Sequence, residues 1–114
     1  MEQLKDLIHK ISSYPELYLG KKSLDRLHVF LDGYLYGNAT ANDHCLDGFT
    51  EFVAQKYRIS TDHNWSSIIN FFSNTEQEAF DEFIRRFEVF SSIDDKTPFL
   101  SLARWEISRE PLNK

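Results

Sequence analysis

The stretch Thr75-Glu76-Gln77-Glu78-Ala79-Phe80-Asp81-Glu82-Phe83-Ile84-Arg85-Arg86-Phe87-Glu88-Val89-Phe90 decides the fold class. Phe80, Phe83, Ile84, Phe87 and Phe90 recur at steps of three and four residues, so they line one side of a helix and no side of a strand. Thr75 followed by Glu78 is a capping box, in which the threonine hydroxyl and the glutamate carboxylate satisfy backbone amides that the helix start leaves without partners. A stripe of large apolar side chains must be covered by other elements, and the rest of the chain supplies further helices to do it.

Upstream, Leu4, Leu7, Ile8 and Ile11 form a second apolar stripe at helical spacing. Ser12-Ser13-Tyr14-Pro15 ends it. Pro15 suits the first position of a new turn, where its missing amide hydrogen is not needed, so a single helical turn is expected over Pro15–Leu19, stopped by Gly20. Ser23 caps a longer helix with Leu24, Leu27, Leu31, Tyr34 and Leu35 inward. Gly33 lies inside it at a cost of about 1 kcal/mol relative to alanine, which predicts a tight helix crossing or a kink. Gly37-Asn38 ends that helix. Asn42 or Asp43 caps the next, with Leu46, Phe49, Phe52, Val53 and Tyr57 inward and Gly48 as its weak point. Residues 58–64 are a polar connection. Residues 65–72, with Ile68, Ile69, Phe71 and Phe72, suit a strand or a buried helix; a short helix capped by Asn64 is the expectation. After the Phe-rich helix, Asp94-Asp95-Lys96 forms a loop. Thr97-Pro98 then opens a last helix carrying Leu100, Leu102, Ala103 and Ile107, with Pro111 beyond its end. The expected fold is all-α, a single compact domain of five or six helices over residues 1–114.

Composition agrees with one folded domain. The chain has 114 residues, 41% of them apolar and 15% aromatic, enough to build a core without metal or disulfides. Cys45 is the sole cysteine, so no intrachain disulfide forms. No apolar run approaches the ~18 residues of a membrane helix. The start Met1-Glu2-Gln3-Leu4-Lys5-Asp6 lacks the basic-then-apolar order of a secretory signal, so a cytoplasmic location without membrane contact is expected.

Charge is informative once located. The net charge is −5, and residues 74–95 carry all of it: Glu76, Glu78, Asp81, Glu82, Glu88, Asp94 and Asp95 stand against Arg85 and Arg86. The rest of the chain is balanced. Nucleic acid requires a basic patch and is therefore not the expected partner. An acidic face instead attracts a basic protein, and these seven acids are the expected partner-binding residues. A merely solvated helix face would mix both signs more evenly.

Candidate chemistry is sparse. No pair among His9, His28, His44 and His63 has the spacing of a helical zinc site, and there is no CxxC, so no metal is expected. His44 and Cys45 are neighbours, but adjacent helical residues point about 100° apart. Cysteine is also among the most buried residue types, which favours packing over catalysis. There is no GxGxxG, P-loop or GxSxG. Asn38-Ala39-Thr40 and Asn64-Trp65-Ser66 match the glycosylation pattern by chance if no secretory route is taken. The expectation is a protein without cofactor or enzymatic activity.

The segment Tyr14-Pro15-Glu16-Leu17-Tyr18-Leu19-Gly20-Lys21-Lys22-Ser23-Leu24, continuing to Leu27, Phe30-Leu31 and Gly33-Tyr34, resembles small bacterial immunity proteins. In these a P-x-x-Y-L-G turn leads into S-L-x-x-L-x-x-F-L-x-G-Y. Trp65-Ser66-Ser67-Ile68-Ile69 and Glu76-Gln77-Glu78-Ala79-Phe80 continue the resemblance in order and spacing, which extends over residues 1–90 and not the tail. The motif residues are expected to be structural, a turn, a cap, a core stripe and a close-packed glycine, and carry no chemistry. The resemblance implies an inhibitor that binds the C-terminal domain of a cognate polymorphic or contact-dependent toxin in the cytoplasm. Many such toxins are nucleases with basic clefts, which an acidic inhibitor complements. The alternative is a helical adaptor or regulatory subunit of another cytosolic protein. A small enzyme pairing Cys45 with a distant histidine is a third class.

Overall fold

The computed structural model describes residues 3–37 and 44–100, and it contains helices and no strand among the described residues. The elements are α1 (Gln3–Ser13), α2 (Pro15–Leu19), α3 (Leu24–Gly37), α4 (Phe49–Lys56), α5 (Trp65–Phe71) and α6 (Glu76–Ser91), and a further helical turn opens at residues 97–100. The all-α expectation holds, including over the ambiguous segment: α5 is a helix, because Asn64 Oδ1 accepts the Ser67 amide at 3.1 Å and starts it.

Local chemistry sets the other boundaries. Pro15 opens α2, and the Gly20 amide closes it on the Glu16 carbonyl at 2.9 Å with a φ of 85° that suits glycine. Ser23 Oγ accepts the Arg26 amide at 3.3 Å at the head of α3. Thr75 Oγ1 accepts the Glu78 amide at 3.0 Å at the head of α6. Glu78 reaches back one residue further than a capping box requires, to the Asn74 amide at 2.7 Å.

Two sequence readings need correction. The fourth helix begins later than its apolar pattern suggests. Residues 45–48 form a turn, Gly48 adopts φ 84°, and the regular helix starts at Phe49. Gly48 is the entrance to α4 and not a weak point within it, since a left-handed residue ends one turn and starts the next. The proposed caps Asn42 and Asp43 lie outside the described residues, as do Leu102, Ala103, Ile107 and Pro111. Gly33 is not close-packed and sits at no tight crossing among the described residues, because a Cβ placed there would meet nothing within 4 Å.

The core is aromatic. Helix α6 packs against α3, α4 and α5 and contributes Ala79, Phe80, Phe83, Phe87 and Phe90. Phe49 is fully buried at the centre, with the rings of Phe52, Trp65, Phe83, Phe87 and Phe90 at centroid distances of 5.4–6.2 Å. Leu4, Ile8, Ile11, Leu24, Leu27, Leu31, Val53, Ile68 and Ile69 complete it. Leu7 and Ile84, expected inside, are half-buried at its margin, and Phe71 and Phe72 are exposed.

Candidate partner-binding surface

Placing the seven acids in space changes what their charge means. Helix α6 directs Glu76 and Asp81 toward the link between α2 and α3. There Lys21 Nζ lies 3.2 Å from Glu76 and Lys22 Nζ 2.8 Å from Asp81. The hydrogen bond from Lys21 holds the Glu76 carboxyl below its ordinary range. Glu82 pairs with Arg85 one turn on and with Arg86 at 2.6 Å, and it accepts the Tyr57 hydroxyl at 3.3 Å. Burial alone would raise the Glu82 carboxyl, but the hydrogen bond from Arg85 and the charges of both arginines outweigh it and hold the carboxyl low. Burial, together with the nearby Glu82 charge, raises the Tyr57 hydroxyl. Glu88 lies 3.3 Å from His9 on α1. Glu78 is committed to the Asn74 amide. Asp95 caps residue 97 by accepting the Thr97 amide at 3.0 Å, and its hydrogen bonds with Thr97 lower its carboxyl. Asp94 is exposed.

The surface of α6 is therefore a set of short ion pairs. Exposed pairs of this kind contribute little individually, about 0–1 kcal/mol. Glu78 stands three and four residues before Asp81 and Glu82, a like-charge arrangement on a helix that Lys22, Arg85 and Arg86 offset inside the molecule. The two lysines are 55 and 59 residues away in sequence, so charge counting along a segment does not find them. The negative field of the segment persists beyond these contacts, because seven acids still outnumber the bases that reach them.

A second feature was not legible as a site. Among the described residues, Leu17, Val29, Tyr36 and Phe71 are at least 70% exposed, and Tyr14 is 64% exposed. Val29 and Tyr18 line one groove of about 420 Å³ between α2 and α3, together with Leu19, Asp25, Arg26 and Phe30. Phe71 and Phe72 line another of about 390 Å³ with Ile59, Thr61, His63, Ser67 and Ile68. Asn70 Nδ2 donates to Asp25 Oδ1 at 2.9 Å, so the end of α5 abuts the first groove. The signal that marks these residues is negative: they are the large apolar side chains left off the core stripes.

One cluster has the residue types of a hydrolytic triad. Ser66 Oγ lies 3.1 Å from His28 Nδ1, and His28 Nε2 lies 3.4 Å from Asp32. However, the Ser66 hydroxyl donates to Asn64 Oδ1 at 3.0 Å, so its proton is already placed, and Ser66 is buried. The cluster ties α3 to the start of α5, reinforced by the His28 ring edge-on to Trp65 at 5.2 Å. Cys45 is half-buried in the turn before Gly48, and its neighbour His44 faces Asp47 at 2.9 Å. Among the described residues no group of three or more His, Cys, Asp or Glu side chains is placed to hold a metal ion, and no helix is long and apolar enough to cross a membrane.

No protein-family model, curated protein or solved structure matches the chain.

Proposed function

We propose that the chain is an immunity protein that binds the C-terminal domain of a cognate bacterial toxin in the cytoplasm, a nuclease with a basic cleft, and neutralises it by occluding the active site. The observation that carries this reading is the place of the motif residues. Pro15, Leu19, Ser23, Leu24, Leu27, Leu31, Trp65, Ile68, Ile69, Ala79 and Phe80 are buried, Phe30 and Tyr34 are half-buried, and Tyr18, Gly20, Gly33 and Glu76 are exposed. Most of the resemblance to immunity proteins thus lies in a scaffold, and exposed positions on it, Val29, Asp32 and Gly33 among them, are available to specify a partner. Such a scaffold offers a preformed surface, which lowers the ordering cost of binding.

The acids of residues 74–95 act in this reading as a field that draws a basic domain inward and speeds encounter. A helical adaptor for another protein is the competing reading, favoured by the exposed aromatics, which suit protein contact in general.

The reading requires a large secreted protein encoded beside this chain's gene, and the test is growth of cells that express the C-terminal domain of that protein. Coexpression of the chain should restore growth, and coexpression of an unrelated acidic helical protein should not. Growth arrest that persists with the chain present at excess contradicts the proposal.

A further inference from the structure

Helix α3 presents an outward side that the other described residues leave uncovered. Asp25, Val29, Asp32, Gly33 and Tyr36 fall on it at helical spacing, and all five are exposed. Val29 is 70% and Tyr36 89% exposed. Gly33 lies between them, one turn from each, with open space where a side chain would be. Helix α2 borders this side through the groove that Tyr18 shares with Val29, and α5 borders it through the contact of Asn70 with Asp25. A glycine inside a helix costs stability, and among the described residues nothing packs closely enough on Gly33 to require one. A partner backbone approaching α3 at that point does require it.

Resting on the reading as an immunity protein, we infer that the close contact with the toxin domain is made by this side of α3, crossing at Gly33, with Val29 and Tyr36 as apolar anchors. The occupant is an apolar helix of the toxin domain that carries a lysine or arginine opposite Asp32. Charge selects this occupant over a second copy of the chain. In a two-fold crossing at Gly33, residues beside the axis meet their own copies, so two Asp32 carboxylates would be brought together. Asp32 is two-thirds exposed, with His28 at 3.4 Å, and its outward oxygen positions are open to a cation. The ion pairs of α6 keep its acids engaged within the domain, so they steer the encounter and the α3 side holds the complex.

This division separates the two rates. Because Val29 and Tyr36 are exposed, Val29→Ser with Tyr36→Ala leaves the fold intact. The probe is the recombinant toxin domain that the proposed function requires, the C-terminal domain of a large secreted protein encoded beside this chain's gene, with binding followed by surface plasmon resonance across a salt series. The paired variant should dissociate about 30-fold faster or more, the scale of a lost aromatic anchor, with an association rate near that of wild type. Asp32→Asn should also dissociate faster. A variant with Asp81→Asn, Glu88→Gln and Asp94→Asn should associate several-fold more slowly at low salt and dissociate as wild type does. If the Val29–Tyr36 variant dissociates like wild type while the domain still binds, the inference is wrong and the immunity reading survives. If wild type does not bind the domain, both are wrong. A wild-type dimer in sedimentation that Tyr36→Ala dissolves also overturns the inference.

Discussion

Gly33→Ala turns the open side of α3 into a measurement. The position lies within a 14-residue helix, and a Cβ there meets nothing within 4 Å, so alanine introduces no clash. Alanine is favoured over glycine in a helix interior by about 0.8–1.0 kcal/mol. Part of that gain comes from the unfolded chain, which has fewer conformations to lose. For a domain of this length, about 1 kcal/mol raises the melting temperature by roughly 4 °C. Urea titration followed by fluorescence of the buried Trp65, with a thermal scan alongside, measures it. The same substitution should weaken binding of the toxin domain, because the methyl group holds the partner backbone away from α3. A gain in stability together with a loss of affinity is the expected pair of results. A loss of stability would refute the reasoning, since it would mean that Gly33 is needed by the fold itself.

Phe49→Ala removes the ring at the centre of the core, which is fully buried among five others. It should cost about 3–5 kcal/mol in chemical denaturation, near the upper end because the surrounding rings cannot close the cavity. Thr75→Ala deletes the hydroxyl that accepts the Glu78 amide and should cost about 1 kcal/mol by the same measurement. The carboxyls of Glu76, Glu82 and Asp95 are held low in the folded state. A depressed pKa lends stability above the unfolded-state value of about 4, and that stability is lost as pH falls through the folded value. Thermal stability should therefore hold down to about pH 5 and drop below about pH 4, and Glu82→Gln should shrink the drop.

The fold was legible because apolar spacing and caps agree along most of the chain. Phe80, Phe83, Phe87 and Phe90 sit on one stripe, and Thr75 and Asn64 each carry a side-chain acceptor where their helix begins. Gly48 was misplaced because the apolar pattern of Leu46, Phe49, Phe52 and Val53 runs through it without a break. Only its backbone angle, with the Phe99 Cβ 3.1 Å from where a Cβ would stand, shows that it is a turn. The acids were legible as residues and not as a surface. Their partners come from distant parts of the chain, Lys21 and Lys22 from the link between α2 and α3 and His9 from α1, and pairing across a fold leaves no local mark in sequence. Val29 and Tyr36 escaped notice for a related reason. On a helix wheel they are simply outside the stripe, and what makes them informative is that no other element among the described residues covers them.

The central claim is inhibition by occlusion, and nuclease titration tests it most directly. A fixed amount of the toxin C-terminal domain is mixed with increasing amounts of the purified chain, and cleavage of its nucleic-acid substrate is followed. The account predicts a linear loss of activity that reaches zero at one chain per toxin domain, with no cleavage restored by excess substrate in a preformed complex. A complex that forms at that stoichiometry and still cleaves at the free rate would contradict it.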